Sequence, residues 1–237
     1  ISVPGSAGAE GITVTTSNKA PTGLDFAAAA TQFGVEYHTA EDFMMDGLKM
    51  SFSASTDNGA NATSTYKLDG HYAIGATYVT TAGDTTVTIG AGLSETEGAV
   101  TGTAPSEDEG GIHMGISAVT GDLTVAIGFA DGDSIESTAA STPAVQVDGE
   151  VVKAGVKYVT GDLTFNVGVT SAEGIDNAFS GTGTTADAYD KTSASVSYAV
   201  ASGVTAILGY SDIESQNEGA ADSKDGSAWF IGANMSF

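Results

Sequence analysis

The sequence predicts an all-β fold, an antiparallel transmembrane β-barrel of which about eleven strands are present. Three observations predict it. Runs of alternating apolar and small polar residues recur along the chain, and tight turns punctuate them about every forty residues. No stretch reaches the roughly 18 consecutive apolar residues that a transmembrane helix requires, so a membrane-spanning form of this chain has to cross with strands.

The charge and the cysteine content of the chain argue against several classes of function. The 237 residues carry a net charge of -23, with 30 Asp and Glu against 7 Lys and no Arg, which argues against a nucleic-acid partner. The absence of Cys excludes disulfides and thiolate chemistry. Because residue 1 is Ile and no charged-then-apolar leader precedes it, we interpret the sequence as a mature chain or a piece of a longer one.

The final segment, residues 227–237, has the pattern of a membrane-crossing strand. Alternation gives it an apolar face and a face that is mostly small and polar, over a length that spans a bilayer when tilted. A soluble sandwich can also end on such a strand. The apolar face consists of Trp229, Ile231, Ala233, Met235 and Phe237.

Short turns alternate with long connections along the rest of the chain. The predicted turns are Asp46-Gly47, Gly83-Asp84, Gly121-Asp122, Gly161-Asp162 and Ser202-Gly203. The predicted long connections, rich in Gly, Ser, Asp and Glu, are residues 56–65, 94–110, 131–144, 172–187 and 212–226. A propeller blade needs four strands per period and only two fit here, whereas unequal connections are typical of outer-membrane barrels.

Strand parity predicts the domain organisation. If the last strand runs toward the periplasm, eleven strands place the start of the chain outside the cell. Residues 1–32 are then the tail of an external loop, and residues 33–237 are barrel strands with short periplasmic turns and long external loops. A short additional strand at residues 11–17 would instead give twelve strands and a barrel that could close.

Parity also divides the functional residues between two environments. Tyr37, Tyr78, Tyr158 and Tyr198 precede short turns on the apolar face, so with Trp229 and Phe237 they are predicted to form a lipid-facing aromatic girdle. The opposite parity holds most of the scarce cations, as expected if lysine facing lipid costs about 2 to 4 kcal/mol. The predicted pore-lining residues are Glu36, His38, Lys49, Lys67, Asp69, His71, His113, Lys153, Lys157 and Lys191.

These inward charges allow a plain interpretation and a sharper one. Plainly, they are solvated lumen residues without individual roles. In the sharper hypothesis, Lys153 and Lys157 form a positive stripe opposite acidic residues of an inserted loop, such as Glu10 and Asp25, and the transverse field tunes which ions pass. The three His residues lack HExxH or GxSxG surroundings, so the sequence predicts no enzyme.

A cation site is a separate hypothesis. Asp131, Asp133 and Glu136 cluster carboxylate oxygens, the ligand type that calcium prefers, in a predicted external loop. Because no twelve-residue EF-hand pattern is present, solvated surface charge is the simpler explanation of the cluster.

The hairpin spacing, the acidic Gly-rich connections and the terminal Trp229 to Phe237 strand resemble the general porins of alphaproteobacteria, of which the Rhodobacter porins are the type. The resemblance implies a sixteen-stranded trimeric barrel in which these eleven strands are the sixth to sixteenth. Residues 1–32 would then match the tail of the third loop, which forms the pore eyelet and would carry Glu10 and Asp25. The sequence departs from that family in lacking five strands and all Arg.

The expected function is therefore an outer-membrane porin, a water-filled channel for passive diffusion of small hydrophilic solutes and ions. Expected partners are outer-membrane lipid, lipopolysaccharide and two further copies in a homotrimer, with no cofactor beyond calcium in external loops. The alternative is a secreted or cell-surface calcium-binding β-rich adhesion or layer protein. The girdle distinguishes them, because an adhesin has no reason to hold aromatic residues at one distance from each turn.

Overall fold

The computed structural model describes residues 34–40, 42–56, 66–100, 109–136, 145–175, 186–216 and 224–235. Eleven β-strands account for most of them. No helix in these ranges is long and apolar enough to cross a membrane. The strands are β1 (Gly34–His38), β2 (Leu48–Thr56), β3 (Tyr66–Ala82), β4 (Thr85–Val100), β5 (Glu109–Thr120), β6 (Leu123–Glu136), β7 (Val145–Thr160), β8 (Leu163–Ile175), β9 (Ala186–Ala201), β10 (Val204–Gln216) and β11 (Lys224–Met235).

The strands form one sheet in strict chain order, each antiparallel to the next. This up-and-down meander confirms the predicted all-β antiparallel fold class, with eleven strands in the described ranges. Within the described ranges β1 and β11 are the two edges, and the sheet is open between them. Residues 11–17, the candidate twelfth strand, lie outside the described residues.

Four of the five predicted short turns are two-residue connections, at residues 83–84, 121–122, 161–162 and 202–203. Each uses a glycine with φ between 54° and 77°, a left-handed conformation that closes a tight hairpin without a Cβ clash.

The predicted turn at Asp46-Gly47 is present, because the Leu48 amide donates to the Met45 carbonyl at 3.2 Å, but it belongs to a longer connection between His38 of β1 and Leu48 of β2. Its backbone is held locally: the Gly47 amide donates to Asp42 Oδ1 at 2.7 Å, and Asp42 and Met44 both adopt φ of 64°. Gly47 itself has φ of 78°, and a Cβ there would collide with the Val79 carbonyl of β3. The first connection is therefore a wider loop closed by a glycine that no other residue can replace without strain.

Four of the five predicted long connections are shorter than their composition suggested. β4 continues to Val100, β6 to Glu136, β8 to Ile175 and β10 to Gln216. Acidic and small residues were interpreted as loop residues, but a strand that has left the hydrocarbon can carry them on both faces because water solvates them. Strands of 12 to 17 residues, as in β3 to β11, exceed the roughly 9 to 11 that a tilted strand needs to cross a bilayer.

The hydrogen-bonded register gives the sheet two distinct faces, because residues paired across antiparallel strands lie on the same face. The apolar face runs across the sheet, for example through Ile89, Ile116, Ile127, Ala154 and Val169. The small-residue face bears mainly Gly, Ser, Thr and Asn. Side chains of the apolar face are exposed, Ile127 by 49% and Val167 by 51%, so this face is available to an apolar environment.

Candidate channel wall

Glycines form a continuous track on the small-residue face. The register pairs Gly90 with Gly115 and Gly115 with Gly128. A second row joins Ala126 to Gly155 and Gly155 to Gly168. Three neighbouring strands therefore present bare backbone at one row, which leaves space beside the sheet.

Two larger side chains lie flat on this face because glycines are their neighbours. An added Cβ at Gly92 would meet the imidazole of His113, and one at Gly209 would meet the ring of Phe230. Each ring thus lies over the adjacent strand rather than projecting away from it. The arrangement keeps bulky groups close to the wall.

The predicted pore-lining residues with described side chains share the small-residue face. They are Glu36, His38, Lys49, His113, Lys153, Lys157 and Lys191. His38 Nε2 lies 2.9 Å from Glu36 Oε1. No ion pair to any of the four lysines occurs in the described ranges. That this face lines a lumen remains a prediction.

The alternation rule does not extend to Lys67 and Asp69. The register shifts between Leu68 and Gly70, so that Lys67 pairs with Ala99 and Asp69 has no pairing partner in the ladder. An inserted residue shifts the parity of everything beyond it. The side chains of residues 66–71, which include His71, lie outside the description, and their assignment to the pore stays a prediction.

A small apolar cluster on the same face was not predicted. Val151, Ala172 and Tyr189 are aligned across β7, β8 and β9 and are buried, with Ile213 packed against them. From the sequence, only small and charged residues were expected on this face. Parity counted from Lys153 and Lys191 would have identified Val151 and Tyr189.

Aromatic residues occupy both ends of the apolar face. Near the tight turns, Tyr78, Tyr158 and Tyr198 each pair with a leucine of the neighbouring strand. At the far end, Tyr210 and Trp229 pair, with ring centroids 4.7 Å apart. Trp229 therefore belongs to a different end from these tyrosines, although the sequence analysis placed them in a single girdle.

Tyr72 and Tyr210 extend the far-end belt and were missed as girdle residues, although their parity is readable from the sequence. Tyr72 pairs with Glu95, and the Tyr210 hydroxyl donates to Asp212 Oδ2 at 2.8 Å. Amphipathic rings beside carboxylates are typical of the boundary between hydrocarbon and water. Tyr37 is exposed near the end of β1, and Phe237 lies outside the described residues.

Carboxylates limit the apolar face at its far end. Eight residues separate Tyr158 from Glu150 on β7, and eight separate Tyr198 from Asp190 on β9. At about 3.3 Å per residue this is about 26 Å along the strand, or about 20 Å of height if the strands tilt by about 40°. The band bounded by tyrosines and carboxylates is thus close to the roughly 25 Å apolar band of outer-membrane barrels.

The predicted calcium ligands lie in a strand and not in a loop. Asp131, Asp133 and Glu136 are in β6, where alternation gives Glu136 the opposite parity to the two aspartates. Asp131 pairs with Glu150, a like-charge pair. No group of three His, Asp or Glu residues placed to hold a metal ion occurs in the described ranges. Glu10 and Asp25, the predicted eyelet residues, lie outside them.

These features, an antiparallel meander with one apolar and one small-residue face, agree with the result of sequence comparison. A model of the Gram-negative porin family matches residues 2–217. The chain belongs to the Gram-negative porin family. This family membership favours the porin expectation over the adhesin alternative. A comparison with curated protein sequences gives no match.

Solved structures, one of them a porin, share the fold of this family member. A porin refined at 1.8 Å resolution superimposes with a TM-score of 0.54 at 19% identity, covering 85% of this chain and 60% of that one. OmpT of Vibrio cholerae gives 0.51 at 14% identity over 85% and 64%, and OccAB4 of Acinetobacter baumannii gives 0.57 at 10% identity over 86% and 52%. The chain therefore spans about three fifths of the length of the solved proteins it matches.

Proposed function

We propose that this porin contributes one wall of a water-filled channel through which small hydrophilic solutes and ions diffuse passively across the outer membrane. The observation that carries the proposal is the apolar band about 20 Å high, bounded by aromatic residues and carboxylates, on the back of a glycine-rich face. The apolar face suits contact with lipid, and the small-residue face suits contact with water. Passive diffusion requires no catalytic group, and the proposal includes none.

The channel is a property that we propose for the whole protein. The open sheet of eleven described strands does not enclose a lumen, and this chain covers only 60% of the solved porin that it matches. We propose that the strands belong to a larger barrel of the alphaproteobacterial type, as its C-terminal two thirds. Closure removes both sheet edges and satisfies their backbone hydrogen bonds in lipid.

We further propose that the whole protein is a homotrimer embedded in lipid and lipopolysaccharide. A solved OmpT structure from Vibrio cholerae is described as a trimer form, with a TM-score of 0.50 to this chain. Chemical cross-linking of the native protein in outer membranes tests the stoichiometry. A ladder ending at three subunits supports it, and a single uncross-linked species opposes it.

The channel itself is tested by reconstituting the natural full-length protein into planar bilayers and liposomes. Stepwise conductance increases are expected on addition of the protein but not of detergent alone. Liposomes should swell in small sugars, and the rate should fall as sugar size increases, because a water-filled pore sieves by size. Absence of both conductance steps and swelling, with protein shown to be inserted, would contradict the proposal.

A further inference from the structure

The two faces of the sheet carry charges of opposite sign. Among strand residues with described side chains, every carboxylate except Glu36 lies on the apolar face, and Glu36 is already within 2.9 Å of His38. All the lysines among them lie on the small-residue face. The carboxylates are Glu95, Asp131, Glu150, Glu173, Asp190, Asp212, Glu214 and Asp225, and the lysines are Lys49, Lys153, Lys157 and Lys191.

This segregation reverses what bulk composition suggests. The chain as a whole carries a net charge of -23, but the described side chains on the face opposite the apolar band include four lysines and a single carboxylate, Glu36. A lumen wall built from this face would attract anions, because nearby charges fix the local potential more strongly than distant ones in salt.

Lys153, Thr170 and Lys191 lie side by side on three neighbouring strands. The register pairs Lys153 with Thr170 in β8 and Thr170 with Lys191 in β9. At about 4.8 Å between strands, the backbones of the two lysines are roughly 10 Å apart. Their flexible stems allow both ammonium groups to reach one anion over Thr170, whose hydroxyl is a further donor.

The space beside this triplet is open. On its other side Lys153 pairs with Gly128, and the row continues through Gly115 and Gly90, which have no side chains. Lys157, by contrast, is four residues along the same strand, roughly 13 Å away. The nearer partner of Lys153 is thus Lys191, across the sheet.

Two cations at this separation are roughly one Debye length apart at physiological salt, so their fields overlap. Neither has an ion-pair partner in the described ranges, and an anion between them would relieve their repulsion. Ammonium and hydroxyl donors together suit an oxyanion with several acceptor atoms.

We propose that Lys153, Thr170 and Lys191 form a subsite for small oxyanions such as inorganic phosphate, and that this wall gives the channel a preference for anions. The proposal rests on the channel function proposed above. It assigns a solute class to one stretch of wall in β7 to β9.

The first test measures the chloride-to-potassium permeability ratio of the natural full-length protein in planar bilayers under a KCl gradient. The wild-type ratio should exceed one, and the double variant Lys153→Gln with Lys191→Gln should lower it by about twofold, because screened charges act mainly on nearby ions. The matched control neutralises two carboxylates on the apolar face of β7 and β8, Glu150→Gln with Glu173→Gln, and should leave the ratio unchanged.

The second test separates a subsite from a diffuse field. Conductance in sodium phosphate should saturate with concentration in the wild type and rise linearly in the double Gln variant. Thr170→Val should weaken saturation while leaving the chloride preference intact. The double variant Lys153→Arg with Lys191→Arg retains both charges and should keep the preference.

The outcomes distinguish the subsite from the channel itself. If inserted wild-type protein forms no pores, the channel proposal fails. If it forms pores but prefers potassium, or if the double Gln variant changes neither permeability nor phosphate saturation, the subsite is wrong and the channel stands. Should the double Gln variant not insert, saturation in the wild type and its weakening in Thr170→Val decide the question.

Discussion

A lysine placed on the apolar face should be far more damaging than the same lysine one residue away. Ile116 on β5 pairs with Ile127, which is four residues from Leu123 at the turn end and four from Asp131 at the far end. Four residues correspond to about 13 Å along a strand, or about 10 Å of height after tilting. Ile116 is therefore near the middle of the apolar band.

From this position a lysine cannot easily reach water on either side, since its stem extends only roughly 6 Å. Ile116→Lys is expected to lower the free energy of unfolding in lipid, and so to destabilise the folded protein, by about 2 to 4 kcal/mol. That is a factor of about 30 to 1,000 in the folding equilibrium constant. Ser117→Lys places the same charge on the small-residue face and should cost less than about 1 kcal/mol.

The assay is reversible unfolding in lipid vesicles as a function of guanidinium concentration, followed by tryptophan fluorescence and by heat-modifiable electrophoresis. Ile116→Lys should shift the midpoint to much lower denaturant, while Ser117→Lys should stay near the wild type. Equal costs for both variants, or a greater cost for Ser117→Lys, would refute the assignment of faces.

Glycine replacements test two further contacts. Gly47→Ala should cost at least about 1 kcal/mol more than Gly83→Ala in the same unfolding assay, because both have left-handed backbones but only the first also collides with a neighbouring carbonyl; equal costs would remove the collision from the explanation. Gly209→Ala should cost about 1 to 3 kcal/mol by displacing the Phe230 ring, and Phe230→Ala in the same chain should recover part of that loss. The control is Gly232→Ala, whose added Cβ meets nothing within 4 Å, so its stability should stay within about 0.5 kcal/mol of wild type. If the costs of Gly209→Ala and Phe230→Ala are simply additive in the double variant, the contact between the two residues is contradicted.

Most of the fold could be predicted from the alternation of apolar and polar residues at every second position. Both faces of each strand could be predicted because an apolar set exposed to lipid has to repeat every second residue, as Ile112, Met114 and Ile116 do on β5. Tight Gly-Asp turns also fix register within a hairpin. The pairing of Lys153 with Thr170 follows from the two-residue turn at 161–162.

The remaining features depend on information that alternation does not contain. The alignment of Thr170 with Lys191 crosses a long connection, so the lysine pair on β7 and β9 could not be predicted from turn geometry. The irregularity beside Lys67 is invisible to a parity count. Asp131 was expected in a loop because acidic composition does not distinguish a loop from a strand that extends into water.

The most direct measurement of the central claim is thiol labelling along β5. These 237 residues contain no cysteine, so single substitutions at each position from 113 to 118 each add one thiol, and labelling is measured above that of the unsubstituted protein. With the full-length protein in intact membranes and a charged, membrane-impermeant maleimide, we expect labelling at positions 113, 115 and 117 and protection at 114, 116 and 118, because only the first set faces water. Labelling of the even positions, or labelling without alternation, would contradict a sheet with one lipid face and one aqueous face.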